Sequence, residues 1–158
     1  QDAIIDEILE NVETRDMCFP DQPWLVFTVG ARGAGKIHTV HDLVTTGRLP
    51  FLSFVQVDPD AIRRRLPEFK TYDKTLVSGL TRKESCFIAN LLLLAAIQQG
   101  RNVVYDSAMH NPDWHLKLIG RYQKCLVNSV SCMKFALLHI TAPTELIFER
   151  AKVSAFRK

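Results

Sequence analysis

The sequence predicts an α/β fold, a three-layer sandwich in which a mostly parallel sheet of four to five strands carries helices on both faces. The first observation is that strand and helix patterns alternate along the chain, as they do when crossover helices connect parallel strands. The second is that the apolar run Trp24–Val29 leads directly into a glycine-rich segment, Gly30–Lys36, and then into a helical pattern. That order is typical of sheets that bind phosphate groups.

The glycine-rich segment predicts a phosphate cradle of the P-loop NTPase type. Glycines let backbone N–H groups face an anion, and the following helix directs the positive end of its dipole toward the same place. Lys36 is then expected to reach the β- and γ-phosphates of a nucleotide. The candidate nucleotide-binding residues are Gly30, Ala31, Arg32, Gly33, Ala34, Gly35, Lys36, Ile37 and His38.

Ile37 departs from the usual pattern of such loops. A serine or threonine normally follows the lysine and ligates Mg²⁺ through its hydroxyl. Thr39 does not simply substitute, because two helical positions further on is about 200° around the axis. The loop is therefore expected to bind phosphate, and it either holds the metal poorly or holds it through water and carboxylates from elsewhere.

The other elements follow from hydrophobic periodicity and from helix start signals. Residues 2–12 are predicted as an amphipathic helix, because apolar side chains up to Leu9 share one face. The helix after the loop is predicted to reach about Thr46. The apolar run Phe51–Val57 is predicted as the second strand, and it enters the helix start Asp58-Pro59-Asp60.

The second half of the chain continues the alternation. The pattern predicts, in order, a short helix to about Leu66, a long helix from about Leu80 to Gln99, a strand over Asn102–Tyr105, a helix from Asn111, a strand over Met133–Thr141 and a terminal helix from Ala142. Gly100 ends the long helix, and Pro143 suits the first turn of the last one.

Length and composition indicate a single globular domain. A chain of 158 residues with 47% hydrophobic content can bury one core. We expect residues 1–23 to form the first helix and a loop, and residues 24–158 to form the phosphate-loop domain, truncated at its carboxyl end. The net charge of +3 suits anionic small ligands without requiring nucleic acid.

Cysteine spacing and hydropathy predict the cellular compartment of the protein. Cys18, Cys86, Cys125 and Cys132 show no C-x-x-C spacing, so free buried thiols in a reducing compartment are expected rather than a metal site or disulfides. The longest apolar run, Leu91–Ile97, is far short of a membrane span, and the acidic amino terminus is unlike a signal peptide. These observations predict a cytoplasmic protein without a membrane partner.

Polar residues follow the predicted strands where ligands of parallel sheets bind, at the carboxyl ends. Asp58 and Asp60 follow the second strand, Asp106 ends the third, and Arg150 lies on the helix after the fourth. Any one aspartate could equally be a helix cap or turn residue. Together they suit phosphoryl transfer, in which Lys36 and Arg150 stabilise the γ-phosphate and one aspartate orients or deprotonates the attacking hydroxyl. Asp106 is the candidate Mg²⁺ ligand.

These residues resemble the zeta toxin family of small P-loop kinases. The similarity rests on Val57-Asp58-Pro59-Asp60-x-x-Arg63-x-x-x-Pro67-x-Phe69, in which Asp60 lies 24 residues after Lys36. It continues through residues 100–107 and from Thr141-Ala142-Pro143 to Phe148-Glu149-Arg150. It covers residues 24–150.

The resemblance implies a kinase that uses ATP or GTP with Mg²⁺ and phosphorylates a hydroxyl, with UDP-N-acetylhexosamines as substrates of the better-known bacterial members. It implies that Lys36 binds phosphate, that Asp60 is the base and that Arg150 is the first lid arginine, with Arg157 as a second. An antitoxin-like protein partner is not identified by the sequence. The candidate substrate-binding residues are Asp58, Asp106, Ser107, His110 and Glu84, of which Glu84 also suits a role at its helix start.

Two other functions remain open. A nucleotide-binding module without catalysis would account for Ile37. A polynucleotide 5′-hydroxyl kinase would use the basic run Arg63-Arg64-Arg65, but the mild net charge makes nucleic acid a weaker expectation. The acceptor itself is not readable, because its pocket is expected in residues 70–85.

Overall fold

The computed structural model describes residues 2–10, 23–70, 78–106, 112–126 and 133–156. The helices are α1 (Asp2–Glu10), α2 (Lys36–Thr45), α3 (Pro59–Arg65), α4 (Ser78–Gln98), α5 (Pro112–Leu126) and α6 (Thr144–Phe156). The strands are β1 (Trp24–Val29), β2 (Val55–Val57), β3 (Val103–Asp106) and β4 (Lys134–His139). Short 3₁₀ turns cover Phe51–Ser53 and Pro67–Lys70.

The four strands form one parallel sheet in the order β2-β3-β1-β4. β1 is central and pairs with β3 and β4, which places Thr28 opposite Asp106 and Val29 opposite His139. Because all carboxyl ends of parallel strands meet at one edge, the segments after β1 and β2 and the last residue of β3, Asp106, converge there. The predicted α/β fold of the P-loop type is confirmed.

Alternate residues of the strands pack into two cores on opposite faces of the sheet. Leu25 and Phe27 of β1 face the larger core, which includes Ile88 and Leu92 of the long helix α4. Val26 of the same strand faces a smaller cluster with Phe51, Phe54 and Val104, against which α2 packs its partly buried Val40 and Val44. Helix α2 itself has no fully buried residue. Helix α2, which follows the glycine loop, is therefore less deeply buried than α4 on the opposite face of the sheet.

The second strand is shorter than predicted, so the predicted start at Phe51 is wrong. Pro50 has no N–H to give to a strand ladder, and the Ser53 hydroxyl donates to the Pro50 carbonyl oxygen at 2.9 Å. The Phe54 N–H donates to the Phe51 carbonyl at 3.1 Å. Local hydrogen bonds of this kind compete with strand pairing, and the strand begins only at Val55.

Other element ends agree closely with the predicted ones. The fourth strand covers Lys134–His139 rather than Met133–Thr141, and the long helix begins at Ser78 rather than Leu80.

Cys86 is a free, half-buried thiol. The predicted features at Cys18, Cys132, Ser107, His110 and Arg157 lie outside the described residues. Within the described parts of the chain, every helix is too short or too polar to cross a membrane.

Candidate active site

The glycine loop lies between the carboxyl end of β1 and the start of α2, and its glycines are required by close backbone packing. Gly30 has φ 155°, and a Cβ there would collide with the Ile140 carbonyl oxygen. Gly33 has φ 91°, and its Cβ would lie 2.6 Å from the Ile147 carbonyl oxygen. The loop is thus held against the chain that leaves β4 and against α6.

Lys36 is the first residue of α2, and its side chain folds back over the loop. The ammonium donates a 2.8 Å hydrogen bond to the Gly30 carbonyl oxygen. A lysine held at the mouth of a glycine loop is placed to contact phosphate oxygens. The positive end of the α2 dipole lies at the same place.

Arg150 of α6 lies against this loop. Its Nη1 is 3.4 Å from the position that a Cβ on Gly35 would take, and its own Cβ is 3.4 Å from the corresponding position on Gly33. Two cationic side chains, from Lys36 and Arg150, therefore flank the glycine turn although 114 residues separate them in the sequence. The structure brings together the two cations that the sequence indicated for charge stabilisation.

Asp58 follows β2 and caps α3. Its Oδ1 accepts hydrogen bonds from the backbone N–H of Asp60 at 2.8 Å and of Ala61 at 3.1 Å. Burial raises the pKa of the Asp58 carboxyl above 3.8; the bond from Ala61 opposes this, and the charge of Asp106 raises it further. Asp58 is therefore both a structural cap and an acid held close to a second acid.

Asp106 ends β3 and is fixed by a residue that the sequence did not single out. The Thr28 hydroxyl donates a 2.7 Å hydrogen bond to Asp106 Oδ1, and Thr28 is only 3% exposed. A single threonine within an apolar strand carries no recognisable signal. Only the strand register, which pairs Thr28 with Asp106, identifies Thr28 as a residue of the site.

A cleft of about 270 Å³ opens at this edge of the sheet. Its polar end contains Thr28, Lys36, Asp58 and Asp106. The remaining lining residues belong to α2, to the turn and strand around β2, and to β3: Ile37, Val40, His41, Val44, Phe51, Leu52, Gln56, Val57 and Val104. Ile37 is 77% exposed, so it presents an apolar side chain where a hydroxyl ligand is usual.

Asp60 and Glu84 do not line this cleft. Asp60 is exposed in the first turn of α3, and its negative charge contributes to raising the pKa of Cys86 on α4. Glu84 is half-buried in the second turn of α4. The structure therefore places Asp58 with the loop lysine and places Asp60 toward α4. Arg32 and His38 are exposed residues of the loop and of the first turn of α2.

The carboxylates of Asp58 and Asp106 provide only some of the ligands that Mg²⁺ requires. Mg²⁺ is usually bound by one or two carboxylates together with substrate phosphates and water, and Asp106 with Asp58 nearby can supply that number. Among the described residues, no group of three or more His, Cys, Asp or Glu side chains could hold a metal ion without such help. Ile37 removes the hydroxyl that would complete the set.

A parallel sheet whose central strand leads into a glycine loop, a lysine and a crossover helix has the fold of P-loop kinases. The chain belongs to the zeta toxin family, since the family model for the zeta toxin matches residues 6–131. No curated protein sequence matches the chain significantly.

Several solved structures share the fold. One describes the PezAT chromosomal toxin–antitoxin system of Streptococcus pneumoniae, with 20% identity and a TM-score of 0.67, covering 99% of this chain and 64% of that one. The Pnkp1/Rnl/Hen1 RNA repair complex has 16% identity and a TM-score of 0.61, covering 87% and 39%. The AvrRxo1-ORF1:-ORF2 structure with ATP has 17% identity and a TM-score of 0.61, covering 99% and 48%. This chain spans less than two thirds of each.

Proposed function

We propose that the chain binds a nucleoside triphosphate, ATP or GTP, on the loop from Gly30 to His38 and transfers the γ-phosphate to a hydroxyl of a small molecule. The observation that carries the proposal is the gathering of Lys36, Asp58 and Asp106 in one cleft, with Arg150 against the same loop. Family membership favours a UDP-N-acetylhexosamine as the acceptor.

The positions of Lys36 and Arg150 support their roles, whereas the role of Asp60 as the base rests on family membership. Lys36 and Arg150 flank the loop and would stabilise the negative charge that develops on the transferred group. The acceptor oxygen forms a bond to the γ-phosphorus while the bond to the nucleoside diphosphate breaks. Asp60, exposed and held at a capped helix start, would accept the proton of the attacking hydroxyl.

Mg²⁺ would be held by Asp106, which the Thr28 hydroxyl orients. When bound, the ion neutralises charge on the β- and γ-phosphate oxygens. Because Ile37 offers no ligand, we expect the dependence of nucleotide binding on Mg²⁺ to be weak in the natural chain.

Isothermal titration with ATP and GTP, with and without Mg²⁺, tests the binding step. Wild type should bind nucleotide, and Ile37→Ser should bind it more tightly only when Mg²⁺ is present. Lys36→Gln is the matched loss variant and should bind at least about tenfold more weakly, as loss of a charged hydrogen bond predicts. Absence of nucleotide binding by the wild type would refute the proposal.

Phosphate transfer is measured separately, with UDP-N-acetylglucosamine and nucleosides as acceptors. Transfer that disappears in Asp60→Asn, while nucleotide binding persists, supports the kinase. Transfer that survives Asp60→Asn but disappears in Asp58→Asn would move the base to the carboxylate inside the cleft.

A nucleotide-binding module without catalysis is the second candidate. The exposed Ile37 side chain at the metal-ligand position favours it. This module would bind nucleotide equally well with and without Mg²⁺ and would transfer no phosphate, whereas the kinase transfers phosphate when Mg²⁺ is present.

A polynucleotide 5′-hydroxyl kinase is less well supported by the basic run. Arg63 donates to the Thr81 hydroxyl at 3.0 Å and lies 5.5 Å from the Phe69 ring centroid. Arg65 pairs with Glu7 at 3.3 Å, and Arg64 lies 3.9 Å from Asp58. These arginines contact the protein itself rather than forming a free basic patch. Binding of single strands that falls steeply with salt would reverse this conclusion.

A further inference from the structure

The motif that follows Asp60 is used only in part by the proposed function. Its later members are Arg63, Pro67 and Phe69, which lie 3, 7 and 9 residues after that aspartate. Helix α3 has only seven residues, and Leu66 directly after it is extended, with φ −63° and ψ 130°. Pro67 explains this end, because the residue before a proline is disfavoured in the helical conformation. The motif therefore encodes a short helix and an abrupt turn.

The turn after α3 returns the chain toward Arg63. The Leu66 N–H donates to the Arg63 carbonyl oxygen at 3.2 Å, and the Phe69 N–H donates to the Leu66 carbonyl oxygen at 3.0 Å. The ring centroid of Phe69 lies 5.5 Å from the guanidinium carbon of Arg63. That distance is within the range of a cation–π contact.

The guanidinium of Arg63 is also joined to α4. Its Nε donates a 3.0 Å hydrogen bond to the Thr81 hydroxyl oxygen, and Thr81 is only 5% exposed. Arg63 itself is half-buried. We call Arg63, Thr81 and Phe69 the arginine clamp, since they join α3 to the start of α4 and to the 3₁₀ turn between them.

A helix as short as α3 needs such contacts to hold its direction. Helices of this length are marginal by themselves, and Ile62 is the residue of α3 that is fully buried. The arginine clamp supplies a second attachment at some distance from that side chain. It therefore restricts the rotation of α3 about its own axis.

Asp60 lies on the same side of α3 as Arg63, because residues three apart on a helix are neighbours on its surface. The arginine clamp turns that side toward α4. The charge of Asp60 accordingly acts on the Cys86 thiol of α4. No ion pair joins the described residues Arg63 and Asp60, so the arginine holds α3 without neutralising the carboxylate.

We propose that Arg63 is a positioning residue for Asp60, which it directs toward α4 by holding α3 against Thr81 and Phe69. The inference rests on the proposed function in one respect, since Asp60 matters for transfer as the base. Arginine suits this position because its Nε donates to the hydroxyl while its planar guanidinium contacts the ring. The proposal also explains the motif, in which Pro67 ends the helix and Phe69 completes the clamp.

Alkylation of Cys86 in the intact protein tests the proposal without nucleotide or acceptor. In the wild-type background, Asp60→Asn should speed the reaction of Cys86 with iodoacetamide, because it removes a negative charge near the thiolate. In the Arg63→Ala background the same substitution should have no effect on the rate, because Asp60 no longer faces α4. Each comparison is made within one background, so the direct charge effect of Arg63 cancels. Mass spectrometry of the Cys86 peptide measures the rates.

Arg65→Ala is the matched control. It removes the same charge from the same helix, at a residue that pairs with Glu7 of α1, and should leave the acceleration by Asp60→Asn intact. Phe69→Leu removes only the ring from the arginine clamp and should reduce that acceleration without abolishing it. This milder variant decides the question if circular dichroism shows that Arg63→Ala does not fold.

Phosphate transfer supplies a second measurement. Arg63→Ala should lower kcat at least about tenfold, since misplacing a reacting group by about 1 Å can cost about a hundredfold. It should leave the dissociation constant for nucleotide within about twofold of the wild type, because Arg63 does not contact the phosphate loop.

The proposal is overturned if Asp60→Asn speeds alkylation as much in the clamp variant as in the wild type. A loss of nucleotide affinity as large as the loss of kcat would also overturn it, since that result indicates a general loss of structure. A wild type that transfers no phosphate would refute the proposed kinase. The Cys86 comparison would still decide whether Arg63 directs Asp60.

Discussion

The hydroxyl of Thr28 donates a 2.7 Å hydrogen bond to Asp106 Oδ1 across the pairing of β1 and β3. The two residues are register partners, although 78 positions separate them in the chain. Thr28 is buried, so its hydroxyl has little access to water. This bond fixes the carboxylate that the proposed function assigns to Mg²⁺.

Replacing Thr28 with valine keeps the shape of the side chain and removes the donor. We expect Thr28→Val to lower the free energy of unfolding by about 1–3 kcal/mol, because a partly buried carboxylate loses its partner. Urea denaturation measures this change. Thr28→Ser keeps the hydroxyl and should be more stable than the valine variant. Equal stability of Thr28→Val and the wild type would show that the bond is not formed in solution.

The packing of Gly30 predicts a large effect for one added methyl group. Gly30→Ala would place a Cβ against the Ile140 carbonyl oxygen, which is backbone and cannot simply rotate away. We expect a loss of more than about 2 kcal/mol in unfolding free energy and loss of nucleotide binding. Urea denaturation and isothermal titration measure the two effects.

Two other glycines control for this substitution. Gly47 has φ 71° but nothing within 4 Å of an added Cβ, so Gly47→Ala should show only the strain of its left-handed backbone, about 1 kcal/mol. Gly120 lies inside α5 with open space around it, so Gly120→Ala should stabilise the protein by up to about 1 kcal/mol. A Gly30→Ala variant no less stable than Gly47→Ala would contradict the packing described.

The parts of the fold that the sequence predicted depend on local signals. The strand before the loop, the glycines, and the start of α3 at Asp58 are each encoded within a few residues, and Asp58 does cap that helix. The second strand was predicted four residues too long because its apolar pattern continues through Phe51–Ser53, where Pro50 and a serine hydroxyl favour a turn.

The parts of the site that sequence reasoning missed depend on contacts between distant segments. The pairing of Thr28 with Asp106 was missed because it follows from sheet register. Arg150 was indicated by the sequence, but its contact with Gly35 follows from the docking of α6. Both aspartates of the Asp58-Pro59-Asp60 segment were expected at the carboxyl edge. Their different surroundings arise because a helix start turns successive side chains to different sides, which sequence spacing alone did not show.

The pKa of the Cys86 thiol depends in part on the charge of Asp60. Burial raises the pKa of this thiol above 9.0, Arg82 opposes the shift, and Asp60 adds to it. Because the thiolate is the reactive form, alkylation of Cys86 by iodoacetamide should be slow at neutral pH, should accelerate as the pH rises toward that pKa and should level off above it. Mass spectrometry of the Cys86 peptide separates its rate from those of the other cysteines.

Replacing Asp60 with asparagine should lower the pKa of Cys86 and speed its alkylation, because a negative charge near the thiolate is removed. Asp113→Asn, a change of the same charge on α5, should leave the rate unchanged. An unchanged Cys86 rate in Asp60→Asn would mean that the Asp60 carboxylate does not face α4.

The raised pKa of Asp58 predicts how this residue affects stability with pH. A carboxyl with a folded-state pKa above its unfolded value of 3.8 binds its proton more tightly in the folded protein. Its favourable contribution is therefore present below pH 3.8 and is lost as the pH rises through the folded-state pKa. Asp58→Asn keeps an oxygen for the helix cap and removes the buried charge, so it should be at least as stable as the wild type at pH 7.

Urea denaturation of both proteins from pH 3.8 to 7 measures this difference, and the gain of the Asn variant should grow as the pH rises through the folded-state pKa and stay constant above it. The Asp106→Asn variant supplies the control, since removing the second charge should lower the pKa of Asp58 in an NMR titration of its carboxyl carbon. If Asp58→Asn instead loses stability as the pH rises, the attraction between the ionised cap and the backbone N–H groups of α3 outweighs the desolvation of the carboxylate.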